Sequence, residues 1–150
     1  MFIDIDAKEP LKLLADLSRK LDNTKPLMGN IAGAMMDAVE KNFAAEGRPD
    51  WIDLTDKTKD KRKNWPGKIL QDSGQLAASV NPRYDANEAA VGTNHVSAPT
   101  HQFGAKEGEY GSTKTGLPIP FGDIPARPFL KLGEDDIQEI DGIISDFLDV

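Results

Sequence analysis

Leu11, Leu14, Leu17 and Leu21 recur at intervals of three and four, which places them on one face of a helix predicted from about Ala7 to Leu21. Asp6 stands where it can cap the start, and Pro10 is tolerated because it falls in the first turn. Asn23 to Pro26 breaks the run, and Pro26 is pre-set to open a second helix. That helix carries Ile31, Met35, Val39 and Phe43 on one stripe and stops at Gly47. Two amphipathic helices across a short break predict an antiparallel pair. Further on, ILQDSGQLAASV reads as a short helix capped by Ser73 that runs into a strand. SVNPRYD and EAAVGTN predict an antiparallel strand pair turning near Ala86 and Asn87, with Pro82 confining its strand to an edge or a bulge. Ile137, Ile140, Ile144 and Phe147 line the buried face of a last helix, with Asp135 and Gln138 at capping-box spacing. The order predicts one α+β domain over residues 1–150: an N-terminal helical pair and a C-terminal helix packed on a small, mainly antiparallel sheet.

Two stretches lack this periodicity. GAKEGEYGSTKTGLPIPFG, rich in glycine and then proline, predicts a long flexible loop or hairpin tip at about 104–123. Arg48 to Lys68 is turn-rich around Trp51, Ile52 and Leu54 and then strongly charged, with Lys57, Lys59, Lys61, Arg62 and Lys63 close together. It carries seven positive and four negative charges in a chain whose net charge is -7. Without interleaved aromatic residues this reads as a solvated helix or a salt-bridging protein contact, not as a nucleic-acid footprint. Net acidity argues against binding to nucleic acid or anionic membrane. The N-terminus lacks the pattern of a signal peptide and no run is long enough to span a bilayer, so a soluble cytoplasmic protein is expected.

Little in the sequence suggests catalysis. The absence of cysteine removes thiolate metal sites and a cysteine nucleophile. GSTKTG (Gly111 to Gly116) has Ser112 and Thr113 between its glycine and lysine, and LPIP follows where a phosphate loop needs a helix. His95 and His101, six apart, match no metal-ligand spacing, and no GxSxG elbow is present. The acids Glu134, Asp135, Asp136, Glu139 and Asp141 read as a solvated helix face whose first members oppose the helix dipole. The most specific feature is IPARPFL (Ile124 to Leu130). Pro125 and Pro128 force their preceding residues into extended conformations and remove backbone donors, so this is an edge or a connecting arm. Phe129 and Leu130 would pin it, and Arg127 would point a guanidinium at a carboxylate or carbonyl. An acid on the terminal helix is the plain intramolecular candidate.

Four segments in order resemble the phage virion morphogenesis proteins of the Mu-like type. FAAEGRPDWIDLTDKT (Phe43 to Thr58) resembles that family's Phe, Gly-Arg-Pro, Trp, Leu and Thr pattern. ILQDSGQLAASV (Ile69 to Val80) is similar to its Leu-x-x-Thr/Ser-Gly-x-Leu-x-x-Ser segment, and VGTNHVSAPTHQFG (Val91 to Gly104) to its Val-Gly-Thr-Asn and His-Gln-Phe-Gly pieces. IPARPFL resembles its Pro-Ala-Arg-Pro-Phe-Leu before the closing helix. VSAPT departs from the aromatic residue that the family places between the two middle pieces. The resemblance implies a non-enzymatic virion part without cofactor: a tail-completion or tail-terminator ring, six-fold by expectation, at the head–tail junction. Implied partners are further copies of itself, the tail-tube protein and the head–tail connector, with the genome passing through the ring. A head–tail adaptor or minor tail subunit is the alternative, and a cell-wall hydrolase using paired carboxylates a remote one. The expected interaction residues are Arg127 with Pro125, Pro128 and Phe129; then Gln102, Phe103 and Gly104; then Trp51 with Lys57, Lys59, Lys61, Arg62 and Lys63. Plain core packing is the competing reading for Trp51 and Phe129.

Overall fold

A computed structural model describes residues 8–62 and 66–149. Asp6 and Lys63 therefore lie outside the described residues. Helices α1 (Lys8–Leu21) and α2 (Lys25–Ala45) come first, followed by the short α3 (Asp56–Lys61) and α4 (Gln75–Ala78). Strands β1 (Asn81–Tyr84) and β2 (Ala89–Gly92) follow, then α5 (Ala98–Phe103) and α6 (Glu134–Leu148). The architecture is α+β. The strands pair antiparallel with Pro82 opposite Val91, and a two-stranded sheet is all edge, which is where proline is admitted. The turn between them is held by Asp85, whose Oδ1 accepts from the N–H groups of Asn87 and Glu88.

Helix α2 organises the rest. It packs against both strands and against α6. Its small residues permit this: Ala32, Ala34 and Ala38 are buried, and Gly29 lets the Tyr84 ring approach to 3.1 Å from where a Cβ would stand. The helix ends with Glu46 in a left-handed conformation and the Gly47 N–H bonded to the Asn42 carbonyl. Val39 and Phe43 from its predicted stripe enter a core with Trp51, Ile69, Leu76, Val80, Ala98 and Phe129. Phe43 stands edge-on to Trp51 with ring centroids 5.8 Å apart, and 5.4 Å from Phe129. Burial of a ring such as Phe129 contributes about 1.5–3 kcal/mol.

Several expectations are corrected. Helix α1 does not form a pair with α2; it leans on α6. Its half-buried positions are Asp16, Leu17 and Lys20, and Lys20 pairs with Asp149 at the end of α6. That pairing turns Leu11, Leu14 and Leu21 outward, each more than half exposed. The three long helices do not all pack on the sheet as expected: α2 packs on both strands, whereas α6 packs chiefly on α2. Ile137, expected inside, is exposed, while Ile140, Ile144 and Phe147 are half-buried. A further helix, α5, covers a stretch containing His101 that lacks a readable helical stripe. The 104–123 segment folds as a hairpin. Ala105 and Ile124 exchange both backbone hydrogen bonds at its base, and Tyr110 and Thr113 donate across it to Ile119 and Leu117.

The acids at the start of α6 are not simply solvated. Asp136 is 1% exposed and occupies the third helical position, where its Oδ2 accepts from the Gly133 N–H at 2.8 Å. The cap thus begins at Gly133, two residues before the predicted Asp135. Arg48 meets Asp136 at 2.6 Å and Asp135 at 3.1 Å. Its Nε donates to Asn42 Oδ1 at 2.9 Å and its Nη2 to the Ala38 carbonyl at 3.0 Å. Arg48→Ala should lower unfolding free energy by about 3–5 kcal/mol, the cost of removing one partner from a buried ion pair. Lys106→Ala, which breaks an exposed pair with Asp123, should leave it nearly unchanged. Urea titration of both variants checks the contrast, and equal losses would contradict it.

Burial alone raises the Asp136 pKa, but the Arg48 hydrogen bond, the Gly133 N–H and the charges of Arg48 and Lys41 outweigh it, leaving a net lowering. A folded pKa below the unfolded one adds stability that is complete above the unfolded value, about 3.9, and is lost as pH falls through the folded value. Asp136→Asn should therefore be less stable at neutral pH and lose less between about pH 5 and about pH 2. Urea midpoints measured down that range test it; an acid limb as steep as that of the parent protein would count against the pairing.

Candidate functional site

The IPARPFL arm is extended backbone between the hairpin and α6, so its polar groups have no ladder of their own. Side chains from three other segments satisfy them. Gln102 on α5 accepts from the Phe129 and Leu130 N–H groups at 3.1 and 3.0 Å, and donates to the Leu130 carbonyl at 3.2 Å. Asn42 on α2 donates to the Phe129 and Lys131 carbonyls at 2.9 and 2.8 Å. Trp51 Nε1 donates to the Pro128 carbonyl at 3.1 Å. The Arg127 N–H reaches the His101 carbonyl at 2.7 Å. Gly104, with φ +78°, lets the chain leaving α5 close on the arm; a Cβ there would stand 2.8 Å from the Ile124 carbonyl oxygen.

Arg127 is 5% exposed and points inward. Its Nε donates to the Ile52 carbonyl at 2.8 Å and its Nη2 to the Asp53 carbonyl at 3.1 Å. The acid on the terminal helix is not its partner; Arg48 takes that role. Burial lowers the Arg127 pKa and the Asp53 charge opposes the shift, but a guanidinium stays protonated at neutral pH. Burial also lowers the His101 pKa, with Arg127 and His95 adding to it. His101 Nδ1 is buried without a hydrogen-bond partner among the described residues.

The expected interaction residues thus separate. Phe129 is fully buried, Trp51 is buried, and Pro125, Pro128 and Gln102 are half-buried. Phe103 faces outward at 77% exposure. In the basic stretch, Lys59 pairs with Asp53 at 2.6 Å and Arg62 donates to the Lys68 carbonyl at 2.9 Å, while Lys57 and Lys61 are exposed on α3. Sequence reading missed Asn42, Arg48 and Asp136. Asn42 carried a signal, a polar residue at i+3 from Val39 on an apolar stripe. Arg48 stood within the Gly-Arg-Pro motif, but Asp136 was hidden in a run of like charges.

Two open grooves flank Phe103. One, of about 400 Å³, has Ala98, Phe129 and Leu130 with Val96 and Phe103 around it. The other, of about 520 Å³, lies between Phe103 and Ile124–Pro125 and carries Lys106, Glu109 and Asp123. Among the described residues no group of three His, Asp or Glu side chains is placed to hold a metal ion, and no helix is long and apolar enough to cross a membrane.

These features define an α+β protein whose recognisable motifs converge on an internal clamp. The sequence matches the phage virion morphogenesis family over residues 5–149, and the chain belongs to that family. It is 39% identical over 142 residues to Mu-like prophage FluMu G protein 2 of Haemophilus influenzae, covering 95% of this chain and 91% of that one. It is 30% identical over 117 residues to putative capsid assembly protein G of Escherichia phage Mu, covering 73% and 70%. Mu-like prophage FluMu G protein 1 of H. influenzae is 31% identical over 145 residues, covering 92% and 86%. No solved structure gives a significant match. The family makes this a phage virion assembly protein.

Arg127 serves its own chain, so Arg127→Ala should cost about 1.5–3 kcal/mol of stability, the worth of hydrogen bonds to a charged group. Arg127→Lys should recover only part, since an ammonium lacks the planar fork that meets two carbonyls. Urea denaturation of both variants is the measurement; an Ala variant as stable as the parent would show the clamp to be dispensable.

Proposed function

We propose that the protein completes or terminates the phage tail where it joins the head, working as a ring of identical subunits with six-fold symmetry. The carrying observation is the apolar surface that one copy leaves uncovered. Leu11, Leu14 and Leu21 on α1 form one patch, and Val96, Phe103 and Phe121 project from α5 and its flanking segments. Exposed apolar surface of this kind marks a protein that acts by contact. Membership of the virion morphogenesis family supports the reading, as does the name of the phage Mu relative, which refers to capsid assembly. A structural role without catalysis is supported by the commitment of Asp135 and Asp136 to Arg48, which removes a carboxylate pair from general acid–base work. An acidic chain, at net charge -7, would let DNA pass through the ring without adhering.

Native mass spectrometry, with and without tail-tube protein, tests the proposal. One closed stoichiometry, formed alone or on adding tube protein, is the expected result. A strict monomer under both conditions overturns it.

A further inference from the structure

His101 is a titratable group that the fold holds without satisfying. It is half-buried in α5, and its Nδ1 is buried with no hydrogen-bond partner among the described residues. The neutral ring can leave that nitrogen as one idle lone pair. A protonated ring carries a hydrogen on both nitrogens, so one N–H would be buried without an acceptor. The charges that act on the ring oppose protonation further. They are Arg127 from the arm and His95 from the segment before α5. The Arg127 guanidinium keeps its charge, and the Asp53 carboxylate acts on Arg127 rather than on His101. His95 is placed differently. Its Nδ1 lies 2.9 Å from Ser97 Oγ, which can accept from the ring once it is charged.

The same position is a tie point. α5 has six residues, too few to persist as an isolated helix. Its place depends on the burial of Ala98 and on two neighbouring residues. The His101 carbonyl accepts the Arg127 N–H at 2.7 Å, and Gln102 accepts from the Phe129 and Leu130 N–H groups. The ring that resists a proton thus stands on the residues that fasten α5 to the arm. Lifting α5 from the arm would give both ring nitrogens access to water. It would break these few local ties and leave the packing of α2 on the strands in place.

We propose that His101 is a pH-sensitive latch: protonated in mildly acidic solution, it releases α5 from the arm and with it the outward-facing Phe103. The open state binds a proton that the closed state excludes. Below about 6.5, the ordinary histidine value, each unit of pH therefore favours the open form by up to about tenfold. The gain ends at the folded pKa, which burial, Arg127 and His95 hold below that ordinary value. The Asp136 response lies lower, in the carboxylate range, so the two acid effects are separable. The latch works in a single copy and does not depend on the ring.

Two measurements on the full chain test it. Proton NMR from about pH 8 to about pH 5 follows the two histidines, which His95→Gln assigns. His101 should titrate below about 6.5. Amide hydrogen exchange over the same range, corrected for the intrinsic rate, reads the opening. The Phe129 and Leu130 amides should lose protection by up to about tenfold per pH unit, while the Val39 and Phe43 amides of α2 keep theirs. His101→Gln should abolish the loss and His95→Gln should not. A His101 pKa at or above the ordinary value overturns the latch. So does protection that is unchanged on acidification, a loss that persists in His101→Gln, or a loss shared equally by α2, which would be global unfolding. If His101→Gln does not fold, the titration and the comparison of amides in the parent decide alone.

Discussion

The fold depends on one buried polar junction, where Asn42, Arg48 and Asp136 meet. Each comes from a different element: the end of α2, the turn after it, and the first turn of α6. Asn42 is 1% exposed and donates its amide hydrogens to the carbonyls of Phe129 and Lys131 while its oxygen accepts from Arg48. Asp136 caps its own helix and holds Arg48 in the same act. Relative to a well-packed apolar substitute such a junction adds little net stability. What it restricts is register. An arm displaced by one residue would leave Asn42 facing the wrong carbonyls, and unpaired buried polar groups are costly.

That restriction explains why two proline-flanked arginines have different partners. Arg48 precedes Pro49 and Arg127 precedes Pro128. The sequence offered an acid on the terminal helix as the plain intramolecular partner of Arg127. In the folded protein Arg127 donates to the carbonyls of Ile52 and Asp53. The turn after α2 brings Arg48 to α6 instead. Trp51, between these contacts, is fixed at its ring by Phe43 and at its nitrogen by the Pro128 carbonyl. The arm is therefore read by side chains much as a bound peptide would be.

Legibility follows from how local each signal is. The hairpin of β1 and β2, the extents of α1 and α2 and the presence of α6 were readable because periodicity and turn residues act within a few positions. The burial of Phe129 was foreseeable as well, since a large ring after two prolines has few alternatives to the core. Partner choice is not local. Nothing in the α1 sequence tells whether its leucines face α2, α6 or another molecule, because amphipathicity gives the existence of an apolar face without its address. Helix α5 escaped notice since six residues containing proline and histidine offer no stripe to count. The importance of Asp136 among its acidic neighbours was equally hidden, because one of several like charges becomes distinct only when a cation is folded against it.

The same distinction separates what the motif segments do from what they leave open. Phe43, Trp51, Ile69, Leu76 and Phe129, drawn from three of them, share one core, and Gln102 from a fourth fastens the arm to it. Those residue types are therefore accounted for by folding alone, without any partner. Side chains the core does not use include Leu11, Leu14 and Leu21 of α1, Val96, Ile52, Phe103 and Phe121, all exposed. Phe103 belongs to a motif segment while being largely exposed, as do Val96 and Ile52. It sits one residue after the side chain that fastens the arm, so α5 presents an aromatic ring outward from a rigid mount. The position of that ring is inherited from the clamp beneath it, because Gln102 and Asn42 hold the same Phe129 backbone, so the buried junction at Asn42 fixes an exposed aromatic ring as well as the core.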